Sequence, residues 1–430
     1  MSRYRPELHY TAKKGWINDP NGFCFFNGTY HIFTQHNPHS TQWGQMHWGH
    51  AISKDLSVWE EQPIALYPDQ WYEDDPQGGC FSGSAIVIDD ILYLYYTAAA
   101  NGVQRQCVAT SRNGVVFTKA KENPILEPPQ GITDFRDPKV FTLEDRLFMV
   151  IGSSNTTEHA VLLYEGSDPF TWTKRSVLYT VPKELGTMPE CPDFFPLGEK
   201  WVLVFSPIGE ETPGVIAVVG TFDFDTYAFE VESLEPIDYG SHYYAFQSTN
   251  GKDNERYAFA WAGQWPWMGR FSGYGPASEG WRGFLTFPRI LTLEEGKIYS
   301  YPVEEVRQRF SHLLDYRVVK PSEDEVFEDL PPVYLLRCEF TSGFSISFGS
   351  TQLRVDPTTD EAILEHRGSM FTAPIKSGPV EIFVDHMSVE IYFGGGYSSI
   401  CFNSDEPLDL TSHNGEELLE LTLSGLPPHH

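Results

Sequence analysis

Basic residues are scarce: 30 Lys and Arg stand against 59 Asp and Glu, a formal net charge of −29 over 430 residues. A polyanion of this size is repelled by phosphate backbones and by anionic lipid surfaces, which argues against nucleic-acid and membrane roles. Cysteine is sparse as well. Cys24, Cys80, Cys107, Cys191, Cys338 and Cys401 are scattered with no CxxC pair, a pattern of reduced thiols rather than of a disulfide frame or zinc site. No run of 18 apolar residues occurs, and MSRYRPELHYTAKKG lacks the apolar centre of a secretory signal; the expectation is a cytoplasmic protein. Five histidines crowd residues 31–50 (His31, His36, His39, His47, His50) without a matching acid or Cys spacing. They read as structural hydrogen-bonding groups, and neither a metal nor an organic cofactor is expected. GxSxG, phosphate-loop and dinucleotide motifs are missing.

Helical periodicity is nearly missing too, and in its place stand short alternating runs rich in Tyr, Phe, Val, Ile and Trp. One pattern, a turn followed by an aromatic alternating strand, occurs five times: GTYHIFTQ, DILYLYYT, DRLFMVIG, EKWVLVFS and ERYAFAWA. The third residues, Tyr30, Leu92, Leu147, Trp201 and Tyr257, are 62, 55, 54 and 56 residues apart. A second landmark keeps step with them, a turn residue followed four positions later by an aromatic: Asp55 and Trp59, Asn113 and Phe117, Asp168 and Trp172, Asp223 and Tyr227. An Asx side chain closes a tight turn on its own backbone and lets the aromatic fold back on the sheet. A unit of this length holds about four strands, one propeller blade. The sequence therefore predicts an all-β protein: a five-bladed β-propeller over 1–302, a short helical linker over 303–319 and a β-sandwich over 320–430. VEIFVD and SVEIYF, joined at His386-Met387, read as a hairpin of that sandwich.

In a propeller the first strand of every blade lines the central channel, so residues at one level converge although far apart in sequence. Ten or eleven positions before each marker lie Asp19, Ser82, Asp137, Glu190 and Gln247. Three are carboxylates beside proline, which marks strand starts and rims because it cannot donate to a β ladder. Any one of them alone is more simply a turn or a solvated rim charge. Three acids at one level repel one another, a cost that structure does not require. Glycoside cleavage does require it: an ionised carboxylate beside a carboxyl held protonated. Trp16, Trp43, Trp48 and Trp261 could offer flat apolar faces to a sugar, and Asn18, Asn21, Gln35, Ser82 and Gln247 could bond its hydroxyls.

These residues resemble glycoside hydrolase family 32, the β-fructofuranosidases that include invertases, sucrose-6-phosphate hydrolases, inulinases and levanases. The resemblance spans nearly the whole chain: WINDPNG, HIFTQHNP with Gln35, WGHAISKDLSVWEEQPIAL, CFSGSAIV with Phe81 and Ser82, FRDPKV, the Glu-Cys-Pro motif, GWRGFLTFPRIL and VDHMSVEIYF. It implies a nucleophile at Asp19, a transition-state stabiliser at Asp137, a fructose-hydroxyl contact at Arg136 and the general acid/base at Glu190. The implied fold is a five-bladed propeller with a sandwich. The implied partner is a small carbohydrate, sucrose or a short fructo-oligosaccharide, and a homo-oligomer stays open. Phe246 stands where the family commonly carries proline, and the C-terminal module is short. A fructosyltransferase, a sucrose-6-phosphate hydrolase, an inverting pentosidase and a non-catalytic sugar-binding protein are the competing readings.

Overall fold

The computed structural model describes residues 4–209, 213–252, 255–265, 277–404 and 410–428. Nearly all regular structure is β, and among the described residues the one α-helix is the single turn Glu304–Arg307. Up to Pro302 the strands of the described residues form five separate sheets. The first runs Gly15–Phe26, Thr29–Asn37, His47–Ser53, Glu60–Leu66, each strand pairing antiparallel with the next. The others begin with the inner strands Gly79–Ile88, Asp134–Leu143, Pro189–Leu197 and Tyr244–Asn250. Each inner strand packs against the next, and the last packs against the first. The closure has its own pairing: Trp281–Arg282, from the last unit, lies parallel to Gly15 and Trp16 of the first strand.

The repeat landmarks explain this regularity. Tyr30, Leu92, Leu147, Trp201 and Tyr257 are each the second residue of the second strand of a sheet. Asp55 Oδ1 accepts from the backbone N–H of Ser57 and Val58, Asn113 Oδ1 from Val115 and Val116, and Asp223 Oδ1 from Asp225 and Thr226. Asp168 Oδ1 accepts from Phe170 N–H at 2.7 Å. Buried apolar side chains fill the space between neighbouring sheets, one cluster per junction, such as Phe33 and Trp48 against Leu94 or Phe195 and Val202 against Phe246. Burying such side chains contributes about 1.5–3 kcal/mol each, and alternation along each strand supplies both faces.

Beyond the ring, two six-stranded antiparallel sheets pack face to face over a common core that includes Leu336, Ile346, Leu353, Ile391 and Leu421, a β-sandwich. The predicted hairpin forms, with Ile382 opposite Ile391 and Val384 opposite Val389. The connector departs from expectation. Helix is confined to Glu304–Arg307, and His312–Val319 is a strand paired with Leu419–Gly425. Val306 and Phe310 are buried, but Leu313, which would share their face if 303–315 were helical, is 60% exposed. The alternation in HLLDYRVV suits an edge strand, and ladder pairing there outcompetes a helix too short to propagate.

Ring and sandwich are joined by buried charge. His9 bonds Asp385 through Nδ1 at 2.7 Å and Glu390 through Nε2 at 2.9 Å, and Arg289 reaches Glu390 and Asp238 at 3.2 and 3.1 Å. Burial works against the charged imidazole, yet Asp385 and Glu390 together raise His9 from 6.5 to about 9. Burial likewise opposes the Glu390 carboxylate, and Arg289 and His9 overcome it, holding it at about 2. A raised histidine contributes stability that is complete below pH 6.5 and lost as pH climbs through 9. We therefore expect stability to fall by up to about 3 kcal/mol between pH 7 and 9.5, and the unfolding temperature with it. His9→Gln should flatten that slope; an unchanged slope in thermal melts would show that the joint does not titrate through His9.

Candidate active site

At the mouth of the ring lies a cavity of about 330 Å³ into which Asp19, Ser82, Asp137 and Glu190 project from four different inner strands. A local irregularity aims each of them. The ladder slips between Ile17 and Pro20, between Cys80 and Gly83, between Arg136 and Lys139, and between Glu190 and Asp193. Such bulges re-aim a side chain and end regular pairing. Pro20, Pro138 and Pro192, which lack an N–H, stand at three of them. Asp137 has φ 67° and Cys191 φ 48°, a left-handed conformation that costs non-glycine residues of order 1–3 kcal/mol and clusters at functional sites. Gly83 permits the bulge at Ser82, because a Cβ there would sit 1.9 Å from the Tyr95 carbonyl oxygen.

Each carboxyl is held by a defined set of partners. Asp19 Oδ2 accepts from Ser82 Oγ at 2.5 Å and from Cys191 Sγ at 3.5 Å, while Oδ1 accepts from Asn18 Nδ2 at 2.9 Å. Asn18 is itself oriented by Trp16 Nε1 at 2.7 Å. Asp137 Oδ2 accepts the Cys191 N–H at 2.8 Å, and the Asp137 N–H donates to Thr97 Oγ1 at 2.9 Å. Glu190 Oε1 receives Arg136 Nε at 3.2 Å and Nη2 at 2.9 Å, and Tyr244 OH donates to its other oxygen. Arg136 Nη1 also bonds Asp134 Oδ1 at 2.6 Å.

Burial raises Asp19 from 3.8 to about 6, with the Glu190 charge adding to it and the three donors opposing. Burial also raises Asp137, where Arg136 pulls the other way and Glu190 and Asp19 push further up. Asp19 is thus ionised at neutral pH but close to its limit, a poised carboxylate.

Asn18, Gln35, Trp43, Phe81 and Arg136 also border the cavity. Three expected substrate contacts lie outside its lining. Trp16 and Trp261 are 4% and 0% exposed and pack with Tyr244 and Cys191 behind the site, because both faces of an inner aromatic are covered where two sheets meet. Gln247 sits deeper in the channel, where it accepts from Lys139 Nζ at 2.9 Å and donates to Gly83 O at 3.3 Å; the slip between Tyr244 and Gln247 spends its amide on the channel wall. Trp48 is fully buried, with its Nε1 on Phe81 O at 2.9 Å, and Asn21 accepts from Gln35 at 3.0 Å. The histidines are tied to neighbours, His31 to His50 at 3.0 Å and His36 to Trp16 O at 2.8 Å.

Sequence reading missed Gln104, Asp134, Ile208 and Trp265 in the lining and Tyr244 on Glu190. Asp134 had a signal, since strand alternation puts it on the face of Arg136. Trp265 had one in the WAGQW run after the fifth marker. Gln104 follows a hairpin turn and carries no pattern.

A poised buried carboxylate, a second carboxyl clamped by arginine and tyrosine, a third beside them and walls of indole and phenyl define a glycosidase site. Comparison with known proteins narrows this. Residues 9–302 match the glycosyl hydrolases family 32 N-terminal domain. A sucrose-6-phosphate hydrolase of Escherichia coli is 33% identical over 429 residues, covering 91% of this chain and 87% of the relative. An Escherichia coli raffinose invertase is 38% identical over 319 residues, covering 70% and 65%. The Bombyx mori GH32 β-fructofuranosidase BmSUC1 superposes with a TM-score of 0.87 at 31% identity over 99% of this chain and 94% of that one, and a mutant of it has been solved in complex with sucrose. The chain belongs to glycoside hydrolase family 32 and is a glycosidase.

Proposed function

We propose that this chain hydrolyses β-D-fructofuranosides, sucrose or short fructo-oligosaccharides, by double displacement. The observation that carries the reading is the meeting of Asp19, Asp137 and Glu190, from three inner strands, in one cavity. Asp19 attacks C2 of the fructosyl unit as the C2–O bond to the leaving group breaks, and Glu190 gives that oxygen its proton. Glu190 then takes a proton from water, whose oxygen displaces Asp19 from C2. Asp137, near Arg136, accepts fructose hydroxyls and bonds them more strongly as positive charge develops on the ring. Ser82 and Asn18 fix the attacking carboxylate. Transfer to a sugar hydroxyl in place of water would use the same residues.

The architecture belongs to the same reading. The five sheets in ring order support a five-bladed propeller over 1–302 as the catalytic unit, with a connector and then the sandwich, whose first strand starts at His312. The six buried free thiols support a cytoplasmic location, and among the described residues no helix is long and apolar enough to cross a membrane. The test is sugar release from sucrose, sucrose 6-phosphate, kestose, inulin and levan. Free fructose from sucrose or kestose is expected, and its absence from the whole panel would overturn the proposal.

A further inference from the structure

We infer that Asp134 makes the pocket select against phosphorylated substrates, so that uncharged fructosides are the ones turned over. This rests on the fructosidase reading and goes beyond it by naming the charge class of the substrate. Among the described residues lining the cavity, four are acids, Asp19, Asp134, Asp137 and Glu190, and one is a cation, Arg136. Four of the five N–H groups of that cation are engaged. Its Nε and Nη2 donate to Glu190, and its Nη1 donates to Asp134 at 2.6 Å and to Gln104 Oε1 at 3.4 Å.

A phosphate ester carries close to two negative charges at neutral pH and is recognised by arginine or lysine with N–H groups to spare. Here it would meet a guanidinium whose charge is already paired with Asp134 at 2.6 Å. To bind Arg136 through two N–H groups, as phosphate recognition by arginine does, it must displace Glu190, on which the chemistry depends, or Asp134 or Gln104. The Asp134 side chain is 40% exposed while that of Arg136 is 11% exposed, so the carboxylate stands on the solvent side of the cation and caps it. Within a partly dehydrated channel the surplus negative charge is weakly screened, and the net charge of −29 adds long-range repulsion of an anionic substrate. Neutral sugar hydroxyls face the opposite situation, since every carboxylate oxygen can accept from them.

The experiment compares kcat/KM for sucrose and sucrose 6-phosphate, at low and high salt, in the native protein and in Asp134→Asn. Sucrose should be favoured by about tenfold or more at low salt, with the deficit of the phosphorylated sugar mostly in KM. Salt should raise the value for sucrose 6-phosphate and leave that for sucrose nearly level. Asp134→Asn should narrow the ratio by about fivefold or more, because it removes one charge and frees an edge of Arg136. Equal or better use of sucrose 6-phosphate by the native protein would overturn the inference. So would a preference for sucrose that Asp134→Asn leaves unchanged, whatever salt does to it. Failure to cleave either sugar would instead overturn the fructosidase reading itself.

Discussion

Asp19→Asn is expected to leave a folded protein whose turnover of sucrose has fallen on the order of 1,000-fold or more, about 4 kcal/mol of barrier. The substitution keeps the shape and hydrogen-bonding reach of the side chain but removes the electron pair that would bond to C2. Its structural cost is small. Asp19 is a buried carboxylate pushed up to about 6 by desolvation and by Glu190, so an uncharged amide relieves both penalties, and the unfolding temperature should hold or rise. That opposition of stability and activity is what a strained functional group predicts. In the native protein kcat/KM should fall on the acid side with a midpoint near pH 6, where Asp19 takes up a proton. Retention of more than about a tenth of the native activity, less than ~1.4 kcal/mol of barrier, would remove Asp19 from the role of nucleophile.

The sequence carried the ring and the convergence of its acids because both depend on features that repeat. Tyr30, Leu92, Leu147, Trp201 and Tyr257 occupy one position in five equivalent strands, and an offset counted from them finds the same level of the channel every time. What it could not carry was the direction of individual side chains at the bulges. Ser82 and Gln247 have equal offsets, yet one bonds Asp19 and the other bonds Lys139 deeper in the channel, since a one-residue slip turns a side chain from one face to another. The tryptophans failed for a related reason. Trp43 borders the cavity while Trp16 and Trp261 are sealed behind it, a difference made by neighbours far away in sequence. Tyr244 is legible only once the fifth inner strand lies beside the fourth.

Glu190→Gln tests the other half of the chemistry and should separate its two steps. Arg136 and Tyr244 hold the Glu190 carboxyl from both oxygens, so the amide should keep its place while losing the proton that the leaving oxygen needs. Sucrose, whose glucosyl oxygen departs poorly without protonation, should lose at least about 100-fold in kcat/KM. A fructoside with a nitrophenolate leaving group needs no such help and should retain most of its first step. Its turnover should then stall at the fructosyl-Asp19 ester, because Glu190 is also the base that activates water. Azide, a nucleophile that requires no base, should relieve the stall and yield a fructosyl azide. The configuration of that azide reports the mechanism: two displacements at C2 return the β-anomer, whereas a single displacement gives the α-anomer. Equal losses on natural and activated substrates would show that Glu190 is not the acid/base, and an α-azide would show that the first displacement does not pass through Asp19.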